Sequence, residues 1–535
     1  MRIAPRGSHS CSGYPRTARF ESSSRSACRW RREPTKRNSR STSARGLTRT
    51  VGDAALVVGR IDATLISTPP APKRAPFGWP VVAIGHEKPI RITFESLDSF
   101  AALYDDADTI EFGFCVALER RDTVIVRIAT AATARTVATV DVTCPFVFNI
   151  FRTALDPEVL RDGIDLTLET PGDPLWIFAA ASHDERSESA DGPSSYHLPH
   201  VTRGRRADSS EASVAEFARR LASRASVQQF GWMEGCVLDG LEQLRCVTDG
   251  TAYDTAIADH LALFESFGRL VYENPRSEPA DGTVYGIEGT LPVAAIARRE
   301  PSAFVVDAAL EYWQAKTDET GRIHDGTITA EGSYTVAYPI AVVARARGDD
   351  ALTKVAVRQL EARAEALHVG HDVYLRLHAD GSRSFRNWGR AWAWYLLGAV
   401  RTIETIGVTA VPAGTLADFR DAAASAAALQ GSDGLWHCYF GEPETGSECS
   451  GSAGVAAAFA IGSRIGVLDR EYHAAAHRAA DAIAQNLTFD GLLTNCSQSN
   501  KGGERLQRSG YRVISQFAMG LLGQLLGAVA DGRAQ

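Results

Sequence analysis

The sequence predicts a two-part fold, an antiparallel β-sandwich followed by a helical (α/α)6 toroid, and three observations carry that expectation. Between residues 53 and 182, short runs alternate apolar and polar side chains, the period of half-buried strands. From about residue 211 the apolar period becomes i, i+3, i+4, and about twelve such stripes follow in about 320 residues. At 535 residues the chain exceeds one ordinary domain, so two folded units and a tail are expected.

The strand expectation rests on "AALVVGRIDATLIS", "KPIRITFES", "TIEFGFCVALE", "TVIVRIATAA" and "GIDLTLET", all rich in Val, Ile, Thr and Phe. A more continuous apolar run, "PLWIFAAAS", follows them. Gly, Pro and Asp punctuate these runs at spacings typical of an antiparallel sandwich. No catalytic constellation lies in this part, which is expected to be a structural module, with carbohydrate contact as the alternative. Residues 183–210, "HDERSESADGPSSYHLPHVTRGRRADSS", mix Ser, Gly, Pro and charge, as an exposed linker or long loop does.

The helical stripes lie near 211–225, 230–246, 253–273, 287–298, 302–317, 331–347, 351–367, 387–405, 416–428, 450–466, 469–486 and 511–529. Twelve helices joined as six hairpins are what a closed toroid over 211–530 requires. An irregular helical solenoid gives a similar pattern.

Composition narrows the class. Apolar residues at 44% and charged residues at 23% are ordinary for a globular protein, and no apolar run approaches the roughly 18 residues that span a bilayer. Residues 1–50 carry 13 Lys/Arg against 2 Asp/Glu, while the whole chain is −7. That Arg- and Ser-rich stretch buries too little surface to fold, and reads as a disordered basic tail or a mis-assigned start. An arginine pair, Arg31 and Arg32, lacks the apolar segment of an export signal, so a cytoplasmic protein is expected. Only 6 of the 57 basic residues are lysines. Nine scattered cysteines, an odd count with no C-x-x-C pair, argue against a disulfide framework or a zinc ribbon and for reduced, mostly buried thiols. There is no P-loop, no G-x-G-x-x-G after a strand, no G-x-S-x-G elbow and no H-E-x-x-H.

One cluster stands out. In "RNWGRAWAWYLLGAV", Trp388, Arg390, Trp392 and Trp394 crowd the start of a helix. Aromatic rings stack on the C–H faces of sugars, and a guanidinium offers two parallel donors to a carboxylate. Trp392 is assigned to the core; Trp388, Arg390 and Trp394 form a candidate uronic-acid site.

At this point the sequence resembles the unsaturated glucuronyl hydrolases and unsaturated rhamnogalacturonyl hydrolases, glycoside hydrolase families 88 and 105. Trp388, Arg390 and Trp394 match their W-x-R-x-x-x-W signature. Gly434, Leu435, Trp436 and His437 match their G-L-W-H segment, and Glu448, Ser450, Ser452 and Ala453 their E-x-S-x-S-A helix start. The stretches "GWMEGCVLDGLEQL", "EGSYTVAYPIAVVARARGD" and "GYRVISQFAMGLLGQLL" resemble the opening, middle and closing helices, so the likeness covers roughly 230–530.

The resemblance implies chemistry on a 4,5-unsaturated uronic acid at the end of an oligosaccharide. A carboxylic acid protonates C4 of the vinyl ether, water adds at C5, and the resulting hemiketal collapses to release the rest of the chain. Such chemistry needs a carboxyl group kept protonated near neutral pH, and neither metal nor organic cofactor. The family uses two aspartates near inner-helix starts. Here the aligned positions carry Glu331, followed by Gly332, and Glu288. These are the candidate catalytic residues, although a glutamate at a helix start also complements the helix dipole. His378, which falls where the family often has a histidine, Trp436, His437 and Glu448 complete the candidate substrate contacts. His324 and Asp325, in a loop before Glu331, and Arg508, in the last loop, are further candidates.

Three rival readings remain at this level. Two carboxylates also suit hydrolysis of a saturated uronide. A polysaccharide lyase needs a Tyr or His base, for which Tyr334 and Tyr511 are candidates. A sugar-binding protein that lost its acid is the third, suggested by Gly332 beside Glu331. Neither nucleic acid nor a membrane is expected as a partner.

Overall fold

The computed structural model describes residues 55–95, 109–180, 192–205, 209–248 and 250–531. The expectation for residues 1–50 lies outside the described residues, as do residues 183–191 and 206–208 of the 183–210 segment. Strand-rich and helical parts belong to one compact unit, Ser43–Gln535.

Ten strands open that unit: β1 (Ala55–Ile61), β2 (Val81–Ile84), β3 (Ile90–Phe94), β4 (Thr109–Cys115), β5 (Thr123–Thr130), β6 (Thr136–Thr143), β7 (Ile150–Ala154), β8 (Ile164–Leu168), β9 (Leu175–Phe178) and β10 (His200–Gly204). Eight form a sheet in the order β6-β5-β8-β3-β1-β10-β4-β7, while β2 pairs with β9. Every pairing is antiparallel. Strand β1 is shared, with Ala55–Val58 bonded to β10 and Gly59–Ile61 to β3. The alternation seen in the sequence becomes burial: along β5, Val124, Val126 and Ile128 point into a core with Ile92, Phe112, Phe114 and Leu166.

One difference from the sequence expectation is central. Strand β10 lies inside the segment read as a linker, yet it runs between β1 and β4 and is almost wholly buried. The stretch, "HVTRG", is short and mostly polar. Burial comes from neighbours supplied by distant chain segments, which local composition does not report.

Among the described residues twelve helices of eight residues or more follow, each overlapping one of the twelve stripes: α1 (Ser210–Leu221), α2 (Trp232–Arg245), α3 (Thr251–Leu263), α4 (Pro292–Arg299), α5 (Phe304–Ala315), α6 (Tyr338–Arg347), α7 (Asp350–Leu367), α8 (Gly389–Ile406), α9 (Ala413–Ala427), α10 (Cys449–Arg464), α11 (Arg470–Ala484) and α12 (Gln516–Asp531). The 253–273 stripe stops early, at Leu263, and gives way to a short hairpin. The even-numbered helices pack in a closed cycle, α2 on α4, α4 on α6, and so on through α12, which returns to α2. Each odd-numbered helix packs on an even-numbered neighbour.

Sequence separates the two sets. Helix α10, "CSGSAGVAAAFAIGSR", is small and apolar on every side and is buried from Cys449 through Gly462. Helix α11 buries only one stripe, Ala475, Ala476, Ala479, Ala480, Ile483 and Ala484. Helices α2 and α12 meet at glycine: a Cβ at Gly520 would come within 2.2 Å of the Cys236 carbonyl oxygen.

The connection from β6 to β7 seats the strand-rich part on this ring. Phe146 packs edge-on against Trp232 and Phe517, the first turns of α2 and α12. The Gln516 amide donates to the Phe148 carbonyl at 2.6 Å. A buried ion pair adds a second clasp. Arg152 on β7 donates twice to Asp490, at 3.0 and 2.7 Å, with side chains 3% and 0% exposed. Burial works against charge on Asp490, but the Arg152 guanidinium outweighs it and holds the carboxyl below the usual aspartate range.

Replacing Asp490 by Ala is expected to cost about 3–5 kcal/mol of unfolding free energy in a urea titration, because Arg152 is then buried with its main partner gone. A depressed carboxyl stabilises the fold above its unfolded value, near 4. This contribution is therefore expected at neutral pH and to vanish as pH falls through the lower folded value. A loss below about 1 kcal/mol would show the pair to be replaceable by solvent.

Candidate active site

The starts of the inner helices converge with two segments of the strand-rich part. Trp232 opens α2, and Glu288 lies in the turn Ile287–Thr290 just before α4. Glu331 precedes a turn of π-helix, Ser333–Ala337, that leads into α6, while Trp388 caps α8 and Arg390 and Trp394 lie in its first turns. Together they line a narrow chamber of about 40 Å³, room for a few waters, with Phe146 and Val147 from the β6–β7 connection and Glu119 from the segment after β4. The chamber opens through Pro275, Tyr285, Glu288, Glu331 and Lys501 into an outer cavity of about 610 Å³, within the usual range of ligand sites.

Glu331 stands at the junction of the two spaces and is 8% exposed. Its Oε1 accepts from the Asn500 amide at 3.3 Å, and its Oε2 has no hydrogen-bond partner. Burial raises its pKa above the ordinary value; the Arg376 guanidinium opposes that rise and the Glu288 carboxylate adds to it. The group is thus biased towards a neutral acid with a proton to give. Gly332 follows it for a packing reason. A Cβ there would meet the buried Arg363 guanidinium at 2.1 Å, and that group donates to the carbonyls of Gln359 and Ile323.

The Glu288 turn is held from two sides. Asp325 accepts from the Ile287 amide at 2.8 Å and the Tyr312 hydroxyl at 2.6 Å, and the Thr290 hydroxyl donates to the Thr335 carbonyl in the π turn. Asp325 therefore positions a carboxylate-bearing turn, while His324 turns towards Asp318.

Arg390 is 2% exposed, beneath the Trp388 ring with its guanidinium carbon 4.5 Å from the centroid. Both terminal nitrogens donate to backbone, one to Ser497 O at 2.6 Å and one to Gln498 O at 2.5 Å. Glu448 holds the same strand from its other side. It caps α10 by accepting from the Ser450 and Gly451 amides, and it accepts from the Ser497 amide at 2.8 Å. Arg390 and Glu448 thus fix the loop that presents Asn500 and Lys501, rather than reaching towards a ligand themselves.

Other candidates lie apart from this cleft. Trp436 is fully buried, its indole N–H donating to the Ala426 carbonyl at 2.8 Å, and His437 pairs through its backbone with Ser447. His378 meets Ser384 Oγ at 2.9 Å in the loop following Arg376, and Arg376 takes the place at the outer cavity instead. Arg508 pairs with Glu442 over the Tyr439 ring. The hydroxyl of Tyr334 donates to Asp239 in the ring's interior, and that of Tyr511 to the Asp141 carbonyl. Neither tyrosine lines the cleft as a base.

Sequence reasoning missed Lys501, Asn500, Arg376, Glu119 and Arg121. Lys501 carried a signal, a lone lysine in a Gly- and Ser-rich loop of a lysine-poor chain. Glu119 and Arg121 sit in "LERRD", indistinguishable from any charged turn. The strand-rich part, expected to be structural, therefore supplies a wall of the candidate site.

With this geometry in view, comparison with known proteins places the chain among relatives of carbohydrate-active enzymes. Residues 369–528 match the model of Glycosyl Hydrolase Family 88, which supports an enzyme of the glycoside hydrolase kind. That match takes in Trp388, Arg390, Trp394 and the 497–501 loop, and begins after Glu288 and Glu331. The chain is 28% identical over 139 residues to the unsaturated rhamnogalacturonyl hydrolase YesR of Bacillus subtilis, which is 25% of this chain and 38% of that protein. The chain thus matches well under half the length of this curated relative. A family 105 glycoside hydrolase from C. acetobutylicum shares its fold, with a TM-score of 0.50, 16% identity, and coverage of 61% of this chain and all of that one. The unsaturated glucuronyl hydrolase of Bacillus sp. GL1 aligns with a TM-score of 0.45, 16% identity, over 59% of this chain and 96% of that one.

Replacing Arg390 by Lys keeps a charge but loses the fork that spans two carbonyls. The variant is expected to lose about 1–3 kcal/mol of stability on chemical denaturation, from unmet buried hydrogen bonds. Hydrogen exchange at residues 497–501 is expected to rise with it. Unchanged exchange there would show that Glu448 and Gln507, which donates to the Gln498 and Ser499 carbonyls, hold the loop without Arg390.

Proposed function

We propose that this chain is a glycoside hydrolase with an (α/α)6 barrel and an appended β-sandwich, which removes a terminal 4,5-unsaturated uronic acid from an oligosaccharide by hydrating its vinyl ether. One observation carries the reading: Glu331 is a buried carboxyl with a raised pKa and an unpartnered oxygen, facing a cavity that gathers cations. A neutral acid can protonate C4, and cations nearby suit a substrate that bears a carboxylate.

The sugar ring sits where chamber and cavity meet, with an aromatic wall of Trp232, Trp388 and Trp394 behind it. Trp394 is braced by Trp232 at 5.4 Å and stacks on Tyr334 at 6.0 Å, so that wall is rigid. The Glu331 proton bonds to C4 as the double bond opens, and water oxygen bonds to C5. The proton of that water returns to the Glu331 carboxylate, which regenerates the acid. The hemiketal then opens: the C5–ring-oxygen bond breaks to leave a ketone at C5 and a hydroxyl on C1. That C1 hemiacetal collapses to an aldehyde as the glycosidic C1–O bond breaks, its proton passing to the oxygen of the departing saccharide. Glu288 and Asn500 orient the water and the acid, and Lys501 holds the uronate carboxylate. The family match and the resemblance of the 388–394 and 434–453 motifs support the same class of substrate.

The test is ultraviolet absorbance of the conjugated uronate during incubation with lyase-generated oligosaccharides. The absorbance is expected to fall with the wild type. Glu331→Gln is expected to lower kcat by about 10²–10⁴-fold, the usual weight of a general acid. If absorbance holds steady while saturated uronides are cleaved, Glu331 and Glu288 serve ordinary glycoside hydrolysis instead. A rise in absorbance would mark a lyase. Binding with no turnover of either substrate would leave a sugar-binding protein.

The raised pKa of Glu331 fixes the sign of two pH effects. Turnover is expected to decline as pH rises through that value, because the neutral acid is lost. A carboxyl whose folded pKa is raised stabilises the fold below its unfolded value and loses that contribution as pH rises through the folded one. Glu331→Gln is therefore expected to melt at or above the wild-type temperature at neutral pH. A clear drop in melting temperature would show that the ionised group is structural.

A further inference from the structure

The outer cavity is larger than one ring requires, and its charge is opposite to that of the chain. Five cations, Arg121, Arg276, Lys316, Arg376 and Lys501, line it with three carboxylates, in a chain of net charge −7. Lys316 is paired with Asp325 at 3.0 Å, and Arg376 faces the acid Glu331. That leaves Arg121, Arg276 and Lys501, of which Lys501 also lines the inner chamber while the two arginines line the outer cavity alone.

These three come from three distant parts of the chain and are held together by structure. Arg121 follows β4; its Nε donates to Glu119, and its side chain is 48% exposed. Arg276 lies in the turn between Asn274 and Glu278, is exposed, and its guanidinium makes no hydrogen bond or ion pair among the described residues. The two segments are locked to each other. The Glu119 amide donates to Ser277 Oγ at 2.9 Å, and the Arg74 amide to the Ser277 carbonyl at 2.8 Å. Arg74 also grips Asp281 at 2.6 and 2.7 Å from the other side. Lys501 feels the arrangement: burial first, and then the nearby Arg121 and Arg276, depress its ammonium pKa, against Glu288 and Glu119. Cations gathered at this range repel one another until an anion joins them. Arginine, with its planar fork, suits an oxyanion held by paired donors.

We propose that the outer cavity is a leaving-group subsite for an anionic saccharide, in which Arg121 from the strand-rich part and Arg276 from the ring bind a sulfate or carboxylate on the sugar next to the terminal one. The inference rests on the terminal-sugar reading of the cleft. Sulfate ester and uronate carboxylate share the chemistry, and separate substrates tell them apart.

The experiment compares kcat/KM for unsaturated disaccharides whose second sugar is neutral, sulfated or a uronate, with the wild type, Arg121→Ala, Arg276→Ala and the double variant. The wild type is expected to prefer one anionic substrate over the neutral one by about tenfold or more, the weight of a charge-assisted hydrogen bond. The double variant is expected to lose that preference, and added salt to weaken it. A wild-type preference for sulfate alone, or for uronate alone, would name the source. Equal rates on all three substrates, or a preference that survives the double variant, would overturn the subsite while leaving the terminal-sugar reading intact. If no substrate is turned over, that reading fails, and calorimetric binding of the saturated sulfated and neutral disaccharides still decides the subsite. Tighter binding of the sulfated one, lost in the double variant, would uphold it; equal binding would overturn it. Both arginines are exposed, so loss of folding is not expected, and Arg276→Glu provides a second variant that should reverse the preference.

Discussion

A buried guanidinium organises the candidate site. Arg390 spends its two terminal nitrogens on the carbonyls of Ser497 and Gln498, while Glu448 takes the Ser497 amide. Buried charges persist where several hydrogen bonds meet them, and here one cation and one carboxylate grip the same strand from opposite sides. The result is a stiff loop whose far end brings Asn500 to within 3.3 Å of Glu331. The acid, its amide partner and the lysine beside them depend on that grip. The most conspicuous arginine of the sequence is a support, and the groups it supports are less conspicuous.

The strand-rich part is tied into the same arrangement. Its β6–β7 connection rests on the first turns of α2 and α12, and its β4–β5 connection brings Glu119 and Arg121 to the cleft. An open end of a helical ring leaves unpaired helix amides and a wide mouth. Covering part of that mouth with an aromatic segment narrows the space behind Glu331 to a chamber that holds a few waters. Burial then raises the carboxyl's pKa, so the packing of one part of the chain sets the chemistry of a residue in the other.

Glycine sets the scale of these contacts in two places. At Gly520 the backbones of α2 and α12 approach too closely for any side chain, which closes the ring. At Gly332 the buried Arg363 occupies the space that a side chain would take, directly after Glu331. The residue that seemed to mark a lost acid is explained by packing.

Periodicity was legible without any structure. Twelve helical stripes and the strand alternation depend on which face of each element is apolar, and a local pattern records that directly. Trp388, Arg390 and Trp394 were legible from one short motif, Glu288 and Glu331 only through the family resemblance, and all five line one chamber. Trp436, Glu448 and Arg390 were legible as important but not in their roles: whether a polar side chain faces a cavity or a neighbouring backbone depends on what packs against it. Strand β10, Lys501 and Arg121 needed the tertiary structure most. Their neighbours come from segments far away along the chain, and an amino-acid sequence read along its length carries local periods, not the distances between remote parts.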